Sequence, residues 1–520
     1  MRVRRSTLRE AAARARARTP LRRGAPPRVE RGSAWAPLRH RQFRSLWTAQ
    51  LVSNVGTWMQ TVGAQWLMLS LDPSPLMVAL VQTSISLPIV LLALPAGALG
   101  DVFDRRRVLM TSQAMMLVGA AVLAALTLAH AITAWSLLAL TFSIGLGDAL
   151  RRPTWQAIQP ELVPRELIPQ AAALNSTSVN LARALGPAIG GAVVAGAGPG
   201  WVFMANAASF LGVLGVLTVW RRERRQSALG PERIGAAVRA GARYARSSPR
   251  LRAVLARTAL FLCFGSSLWA LLPVAAHSRL GLGSGGYGLL LGSVGVGALL
   301  GAVTLPSLRE RRSANAIVTG ESLVFAAAVA ALAWFAVVPV AVIALVAAGF
   351  AWIATVSSLN ASVQTILPSW VRARGMALFL LVVQGGQALG SVAWGFVAEH
   401  SDVQVAFTAV AGGLVLGVAF GLRYPVRSGE DLDLTPSRHW REPELVIDRD
   451  PSTGPVLVTI EYRVPPENHE AFRDAMQAVG RSRRRSGAER WGLFQEATDP
   501  DRFVEAFVVP SWEEHLRQHE

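Results

Sequence analysis

Apolar residues in this chain collect in twelve long runs that are separated by short polar or glycine-containing connections. A run of about 20 apolar residues is long enough for a helix to cross the hydrocarbon core of a bilayer. The pattern therefore predicts an all-α polytopic membrane protein with twelve transmembrane helices. The predicted spans, numbered 1 to 12 in chain order, cover residues 46–70, 76–99, 108–129, 132–150, 171–196, 201–220, 253–276, 285–306, 315–336, 338–361, 374–397 and 403–423.

Arginine positions give an independent test of this topology. They gather in every second connection, and the basic stretches are 105–107, 151–152, 221–252, 309–312 and 372–374. The other connections carry almost no arginine, and Arg279 is the exception. Positively charged connections stay in the cytoplasm. The sequence therefore predicts a multi-pass protein of a bacterial inner (plasma) membrane with both termini cytoplasmic.

The composition favours a membrane protein over a soluble one. Of the 520 residues, 52% are hydrophobic and 16% are charged, and the mean hydropathy is +0.35. The net charge of +19 lies in the N-terminal tail and in alternate connections, so it reflects topology and does not predict nucleic-acid binding. The chain has no lysine and a single cysteine, Cys263, which excludes a lysine-containing ATP-binding loop and an intrachain disulfide. No cofactor, metal ion or enzymatic activity is predicted.

The long basic connection divides the spans into two sets of six. Gln156-Ala-Ile-Gln-Pro160 before span 5 is echoed by Gln364-Thr-Ile-Leu-Pro368 before span 11. Internal repeats of this kind build transporters whose binding site lies between the repeats near mid-membrane. The predicted domains are a disordered basic cytoplasmic tail (1–40), an N-terminal six-helix half (41–220), a cytoplasmic basic linker (221–252), a C-terminal six-helix half (253–423), a second linker (424–455) and a small soluble domain (456–520).

Polar side chains recur at helical spacing inside four of the apolar spans. Lipid tolerates such stripes poorly, so they face a wet cavity or neighbouring helices. The residues predicted to line a substrate cavity are Asn54, Thr57, Thr61 and Gln65 in span 1, Asn180 and Arg183 in span 5, Ser358 in span 10, and Gln384 and Gln387 in span 11. For any single residue, a hydrogen bond between helices without a ligand is an equal alternative.

Three ionisable residues lie within or at the edge of the predicted spans. Arg183 is about midway along span 5, and it either awaits an anionic ligand or pairs with an unidentified partner. Asp148 and Glu321 are the predicted proton carriers, because a carboxylate whose hydration changes during a conformational cycle can bind and release a proton. The alternative for each is a structural, hydrogen-bonded acid near the interface. The expected partners are protons, lipid and a small-molecule substrate that is anionic or aromatic.

The connection after span 2 reads Gly-Ala-Leu-Gly-Asp-Val-Phe-Asp-Arg-Arg-Arg from Gly97 to Arg107. It resembles the Gly-x-Leu-Ala-Asp-Arg-x-Gly-Arg-Arg loop between helices 2 and 3 of the major facilitator superfamily, with Asp104 in place of the usual glycine. The resemblance implies the major facilitator fold and transport by alternating access. It also implies a conformational latch, formed by Gly97, Asp101, Arg105, Arg106 and Arg107.

Span 5 carries Gly186-Pro-Ala-Ile-Gly-Gly191. It resembles a signature of drug and proton antiporters of the same superfamily, matched at Gly186, Pro187, Gly190 and Gly191. The proline frees a backbone carbonyl, and the glycines let helices approach closely. The segments 160–175, 180–187, 269–273 and 287–291 are similar to the enterobactin-exporter group of transmembrane secretion effectors. This resemblance implies proton-driven export of siderophore-like or drug-like molecules. An uptake permease of the same fold is the alternative, because topology does not set the direction of flux.

The C-terminal residues predict strands at 456–464, 490–497 and 502–510 and helices at 466–483 and 511–520. This βαββα order is a ferredoxin-like α+β fold without its last strand, so either a partner supplies that strand or the chain is truncated. The stretch from Trp491 resembles the antibiotic-biosynthesis-monooxygenase-type domain fused to some of these transporters. That resemblance implies a regulatory module or one for self-association. A membrane-anchored oxidoreductase that uses His469, His515, His519 and Trp491 is the alternative from another class.

Overall fold

The computed structural model describes residues 33, 35–92, 104–220, 242–429, 454–485 and 487–512. These parts of the chain form twelve long helices, followed by a small sheet with one helix. The long helices are α1 (Arg41–Leu71), α2 (Pro75–Leu92), α3 (Arg105–Leu128), α4 (Ala134–Ile158), α5 (Ile168–Ala197), α6 (Pro199–Val219), α7 (Pro249–Ser278), α8 (Ser284–Arg311), α9 (Ala314–Trp334), α10 (Val338–Ile366), α11 (Ser369–His400) and α12 (Val403–Arg423). Each predicted span overlaps one of these helices.

Ten of the described helices are long and apolar enough to cross a membrane. The two long helices outside that set are α1, which carries the polar stripe of span 1, and α4, which carries Asp148, Arg151 and Arg152. Their hydropathy is lowered by residues that line an interior cavity, as described below. The mostly helical membrane architecture is therefore observed, and the twelve crossings stay a prediction.

Helix ends follow local capping chemistry. The side chain of Asp104 accepts a hydrogen bond from the Arg107 amide at the start of α3 (3.1 Å). The Ser248 hydroxyl accepts one from the Leu251 amide at the start of α7 (3.4 Å). Gly198 separates α5 from α6 with φ of 90°, a left-handed conformation that favours glycine. The breaks between these apolar helices are thus encoded by neighbouring residues.

The two sets of six helices pack in the same way. In α1–α6, called here the first half, α1 packs against α5 and α6, α2 against α4, and α3 against α4 and α6. Each pair recurs in α7–α12, the second half, when six is added to the helix numbers. The largest contacts between the halves join α2 to α11 and α5 to α8, which the same operation exchanges. This is the pseudo-symmetry of a repeat-built transporter. The exact domain boundaries stay a prediction.

Within the part of the chain that the structure describes, the apolar core is continuous across the halves at one end of the helices and divided at the other. One large cluster of buried residues spans both halves and includes Phe203 of α6 and Trp269 of α7. Toward the other end, the buried residues form a cluster around Leu46 in the first half and another around Leu251 in the second. We call the end with the continuous core the closed end; it holds the connection between α1 and α2. The other end, which holds the connection between α4 and α5, is the open end.

The C-terminal sheet has three antiparallel strands in the order β1-β3-β2. They are β1 (Val456–Arg463), β2 (Arg490–Gln495) and β3 (Arg502–Val509), with helix α13 (His469–Arg485) between β1 and β2 in sequence. In the register, Val509 lies opposite Val456, and Val508 lies opposite Arg490. The strands and α13 lie where the sequence predicts them, and residues 513–520 of the expected last helix are outside the described residues. The monooxygenase-type assignment and self-association stay predictions.

Glu505 on β3 is a fully buried carboxylate in this small domain. It accepts hydrogen bonds from the Tyr462 hydroxyl (2.9 Å), the Trp491 indole (2.9 Å) and the Arg483 guanidinium (3.0 Å). Burial raises the pKa of Glu505, but these donors, Arg483 first, outweigh burial and hold the pKa below its usual value. Burial and the bond to Glu505 raise the pKa of Tyr462 to about 12. The carboxylate is thus a structural element of the domain core.

Candidate functional site

A cavity of about 420 Å³ lies between the two halves. The first half contributes α1, α2, α4 and α5 to its wall, and the second contributes α7, α10 and α11. A volume of this size accommodates a drug-sized molecule. The lining residues are Gln50, Asn54, Thr57, Trp58, Thr61, Gln82, Ile85, Ser86, Ile89, Asp148, Arg151, Arg152, Trp155, Gln156, Asn175, Val179, Arg183, Trp269, Trp352, Val356, Val383, Gln384 and Gln387.

The polar stripe of α1 supplies the longest single part of the wall. Its residues recur at steps of three and four, which places them on one helical face. The Gln50 amide donates to Asn54 (2.9 Å), and Asn54 donates to Ser178 of α5 (3.3 Å). The hydroxyls of Thr57 and Thr61 donate to backbone carbonyls one turn earlier, at 2.9 and 3.1 Å. Local bonds therefore orient the stripe, and its face is turned to the cavity.

The structure brings together most of the predicted cavity residues. Asn54, Thr57, Thr61, Arg183, Gln384 and Gln387 all line the cavity. Gln65 lies beyond it, fully buried at the closed end, and Ser358 is buried within the packing of α10. Asn180 is partly exposed outside the lining. The wall is thus formed by part of the predicted stripes, and the remaining stripe residues lie in the helix packing or outside the lining.

Four tryptophans, which the polar stripes do not predict, also line the cavity. They are Trp58, Trp155, Trp269 and Trp352. The ring centroids of Trp269 on α7 and Trp352 on α10 are 4.1 Å apart. Tryptophan is also common at lipid interfaces, so the sequence does not indicate whether a tryptophan in an apolar span faces the lipid or the cavity. Only Trp58, which adjoins Thr57 in the stripe, offered a clue.

Asp148 and two arginines form an ion-paired cluster in the wall of the cavity. Oδ1 of Asp148 accepts from Nε and Nη2 of Arg151 at 3.1 and 2.6 Å. Oδ2 accepts from Nε of Arg152 at 2.6 Å. The Asp148 side chain is 14% exposed, while that of Arg152 is 50% exposed. Both carboxylate oxygens are therefore engaged in charge-assisted hydrogen bonds.

Arg183 of α5 lies in the same wall without an acidic partner among the described residues. Its guanidinium carbon is 5.5 Å from the ring centroid of Trp58, within reach of a cation–π attraction. Its Nε and Nη1 atoms are buried and have no hydrogen-bond partner among those residues. Arg183 therefore presents a guanidinium whose hydrogen-bonding capacity is largely unused.

The second predicted proton carrier, Glu321, lies away from the cavity. It belongs to α9, which contributes no residue to the lining. Asp148 is thus the one acidic residue in the part of the lining that the structure describes.

Side chains of both halves meet beyond the cavity at the closed end. The Gln65 amide of α1 donates to the Trp269 carbonyl (2.8 Å), and Gln65 accepts from the Tyr287 hydroxyl. The Ser74 hydroxyl, between α1 and α2, donates to Glu399 of α11 (2.7 Å). These bonds join the halves at the end where the apolar core is also continuous.

The glycine motif of span 5 serves two different interfaces. A Cβ at Gly191 would lie 2.7 Å from the Cα of Gly288, so this pair brings α5 and α8 into backbone contact across the halves. A Cβ at Gly288 would lie 2.7 Å from the Pro187 carbonyl. Gly186 and Gly190 instead face α1, where a Cβ would lie 2.5 and 2.8 Å from atoms of that helix. The motif thus packs α5 against a helix of each half.

The described arginines of the predicted latch bind within the first half. Arg105 forms an ion pair with Glu161 (2.8 Å) beyond the end of α4. Arg106 donates to two carbonyls at the end of α6, both at 2.8 Å, where the helix dipole favours a cation. Arg107 is exposed at the start of α3, and Gly97 and Asp101 lie outside the described residues.

Residues named for an oxidative activity make structural contacts in the small domain. The Trp491 indole bonds to Glu505, and a His469 ring nitrogen is 2.9 Å from the Val464 carbonyl. His515 and His519 lie outside the described residues. The contacts of Trp491 and His469 stabilise the fold of this domain.

Comparison with known proteins places these features in context. The sequence profile of the family described as transmembrane secretion effector matches residues 32–520. The chain is 29% identical over 142 residues to the staphyloferrin A transporter of Staphylococcus aureus, which is 27% of this chain and 36% of that protein. It therefore spans little more than a third of that relative's length. It is 25% identical over 386 residues to the multidrug efflux pump Tap of Mycolicibacterium fortuitum, which is 71% of this chain and 92% of that protein.

Solved structures share the fold at low sequence identity. A crystal structure of the nucleoside transporter NupG aligns with a TM-score of 0.61 and 13% identity, over 74% of this chain and 98% of that chain. This likeness shows a common helical architecture.

Proposed function

Since this chain belongs to the transmembrane secretion effector family of the major facilitator superfamily, we propose that it exports small molecules by alternating access in exchange for protons. It is a membrane transporter, because its family and relatives are transporters and not enzymes. Its relatives are bacterial, and its location is a bacterial membrane. Export, proton coupling, the inner membrane and cytoplasmic termini are the proposed part.

The observation that carries the proposal is a cavity between the two halves, whose described residues share one apolar core at one end of the cavity and form separate cores at the other. The halves have a continuous core at the closed end and separate cores at the open end. Rocking of two repeats about a site between them switches access from one side to the other. With the arginine-rich connections in the cytoplasm, the open end faces inward. We therefore interpret this arrangement as the inward-facing state.

Asp148 is the proposed proton site, because it is the acidic residue of the described lining. A proton on Asp148 would weaken its bonds to Arg151 and Arg152 and free both guanidinium groups. Proton binding would thus change the charge of the cavity wall at its open end. Glu321 lies outside the cavity and is the weaker candidate. The Gly97–Arg107 connection is proposed to latch one state of the cycle.

Siderophore-like or drug-like molecules are the proposed substrates. The lining combines four tryptophans with amide and charged side chains, which suits a molecule with apolar and polar parts. The names of the staphyloferrin A transporter and of the efflux pump Tap support the same classes. An uptake permease remains the alternative, because the cavity geometry serves either direction.

Inside-out vesicles from cells that produce this chain test the function. Vesicles with an acidified lumen are expected to accumulate radiolabelled aromatic or siderophore compounds above the level of vesicles without the protein. Collapse of the pH gradient should abolish the difference, because the proton gradient supplies the driving force. Accumulation in right-side-out vesicles only would identify an uptake permease instead.

Deletion of residues 450–520 is expected to leave most of the transport rate intact. Every described lining residue lies between α1 and α11, and none lies in the small domain. The measurement is the rate of vesicle accumulation per unit of truncated protein in the membrane, compared with the full chain. Complete loss of transport by a well-expressed truncated protein would show that the small domain takes part in the cycle.

A further inference from the structure

We propose that the cavity binds an organic anion, whose charged group pairs with Arg183 while its aromatic or apolar body lies against Trp58 and the neighbouring tryptophans. This inference rests on the proposed transport function and names the substrate class. It assigns to Arg183 the role of the primary contact for the ligand.

The charges that line the cavity favour a negative ligand. The described lining contains Arg151, Arg152 and Arg183 against a single acid, Asp148. Both oxygens of Asp148 are held by Arg151 and Arg152. Asp148 therefore neutralises part of its own cluster and supplies no acceptor to Arg183. This excess of positive charge in the cavity wall attracts anions and repels cations.

The unused donors of Arg183 indicate the same ligand. Its buried Nε and Nη1 atoms lack protein partners among the described residues, and an unpaired buried donor is costly. A carboxylate or similar planar anion offers two acceptor oxygens that match the guanidinium fork. The guanidinium carbon of Arg183 lies over the Trp58 ring, 5.5 Å from its centroid, and an indole ring face offers a cation–π attraction but no hydrogen-bond acceptor that could replace such a ligand.

The rest of the wall indicates a body with aromatic or apolar surface. Trp58, Trp155, Trp269 and Trp352 share the lining with the apolar side chains Ile85, Ile89, Val179, Val356 and Val383. The amides of Gln82, Gln384 and Gln387 supply neutral polar contacts. An amphipathic anion therefore satisfies the wall better than a small inorganic anion, which would cover none of this apolar surface.

Two probes of the same shape test the charge requirement. Binding of 2-naphthoate and of uncharged 2-naphthamide to the purified full chain in lipid nanodiscs is measured by tryptophan fluorescence. The wild type is expected to bind the carboxylate about ten-fold more tightly or better, as for a charge-assisted hydrogen bond. Arg183→Gln is expected to remove this preference. Arg165→Gln, which removes the same charge from an exposed site outside the cavity, is expected to keep it.

Arg183→Lys provides the second variant if Arg183→Gln does not fold. Lysine keeps the charge but lacks the fork, so the preference should shrink without disappearing. Equal affinities of the wild type for the two probes, no binding of naphthoate at millimolar concentration, or an unchanged preference in Arg183→Gln would each overturn the proposal. Vesicle transport distinguishes failure of the anion site from failure of the export function. If the protein transports but shows no preference for the anion, the proposed export stands and the proposed anion site is wrong. If the protein prefers the anion but does not transport, the anion site stands and the proposed export is wrong.

Discussion

Replacement of Gly191 by leucine is expected to reduce transport about ten-fold or more, because it forces apart the two helices that hold the halves together at the closed end. Overpacking of a tight contact costs about 1–3 kcal/mol, which is about 5- to 150-fold in the equilibrium between two states. A Cβ at Gly191 would already lie 2.7 Å from the Gly288 Cα and from the Ser284 carbonyl oxygen. Both are backbone atoms, which cannot rotate away.

Gly196→Leu is the matched control for this prediction. Gly196 lies on the same helix, and a Cβ there would meet no atom within 4 Å. The Gly196→Leu variant should therefore transport at close to the wild-type rate. The measurement is the initial rate of accumulation in vesicles, normalised to the amount of protein in the membrane. If Gly191→Leu transports as fast as Gly196→Leu, the α5–α8 contact is not needed in the cycle and the assignment of the closed end fails.

Asp148→Asn is expected to abolish gradient-driven accumulation while the protein still reaches the membrane. Asparagine cannot take up a proton, and the described lining offers no other carboxylate. Arg151 and Arg152 would lose their shared acceptor and repel each other more strongly. The expected accumulation ratio across the membrane falls to one, whereas exchange down a substrate gradient continues.

Glu166→Gln controls for the loss of one negative charge. Glu166 is exposed between α4 and α5 and lies outside the cavity, so this variant should retain the wild-type accumulation ratio. The comparison requires equal expression and the same imposed pH gradient. A wild-type ratio in Asp148→Asn would remove Asp148 from proton coupling. Loss of both accumulation and downhill exchange would instead indicate a structural role for the ion-paired cluster.

The Asp148 cluster illustrates where sequence reasoning stopped short. The predicted span ends at residue 150, because Arg151 and Arg152 are assigned to a basic cytoplasmic connection. The helix instead continues to Ile158 with Pro153 inside it. Arg151 and Arg152 are therefore helical residues three and four positions after Asp148, which is the spacing of side chains that meet on a helix surface. When the two arginines are assigned to a loop, they indicate only which side of the membrane the connection lies on, and their ion pairs with Asp148 are not predicted.

The sequence predicts which face of α1 is polar, but it does not predict the layer of the protein in which each residue of that face lies. The sequence predicts that Asn54 and Thr61 line a substrate cavity. Both lie in the wall of the cavity between the halves, and its use by a substrate stays a prediction. Gln65 belongs to the same face but lies in the closed end, where it bonds to the second half. Eleven residues along a helix correspond to about 16 Å, so one face passes through two layers of the protein. Periodicity gives the direction of a side chain, and the depth of each layer depends on the partner helices.

The sequence by itself determined the helices, the alternation of charged connections, the internal repeat and the polar face of α1, because each of these depends on hydropathy, capping and spacing within one stretch of chain. Only the tertiary structure decided which helices of the two halves meet, which end of the cavity is closed, which tryptophans turn inward, and that Arg183 lies in the cavity wall without an acidic partner among the described residues. These features arise from close packing between segments that are far apart in the chain, such as the Gly191–Gly288 contact between α5 and α8, and neither segment contains that information alone.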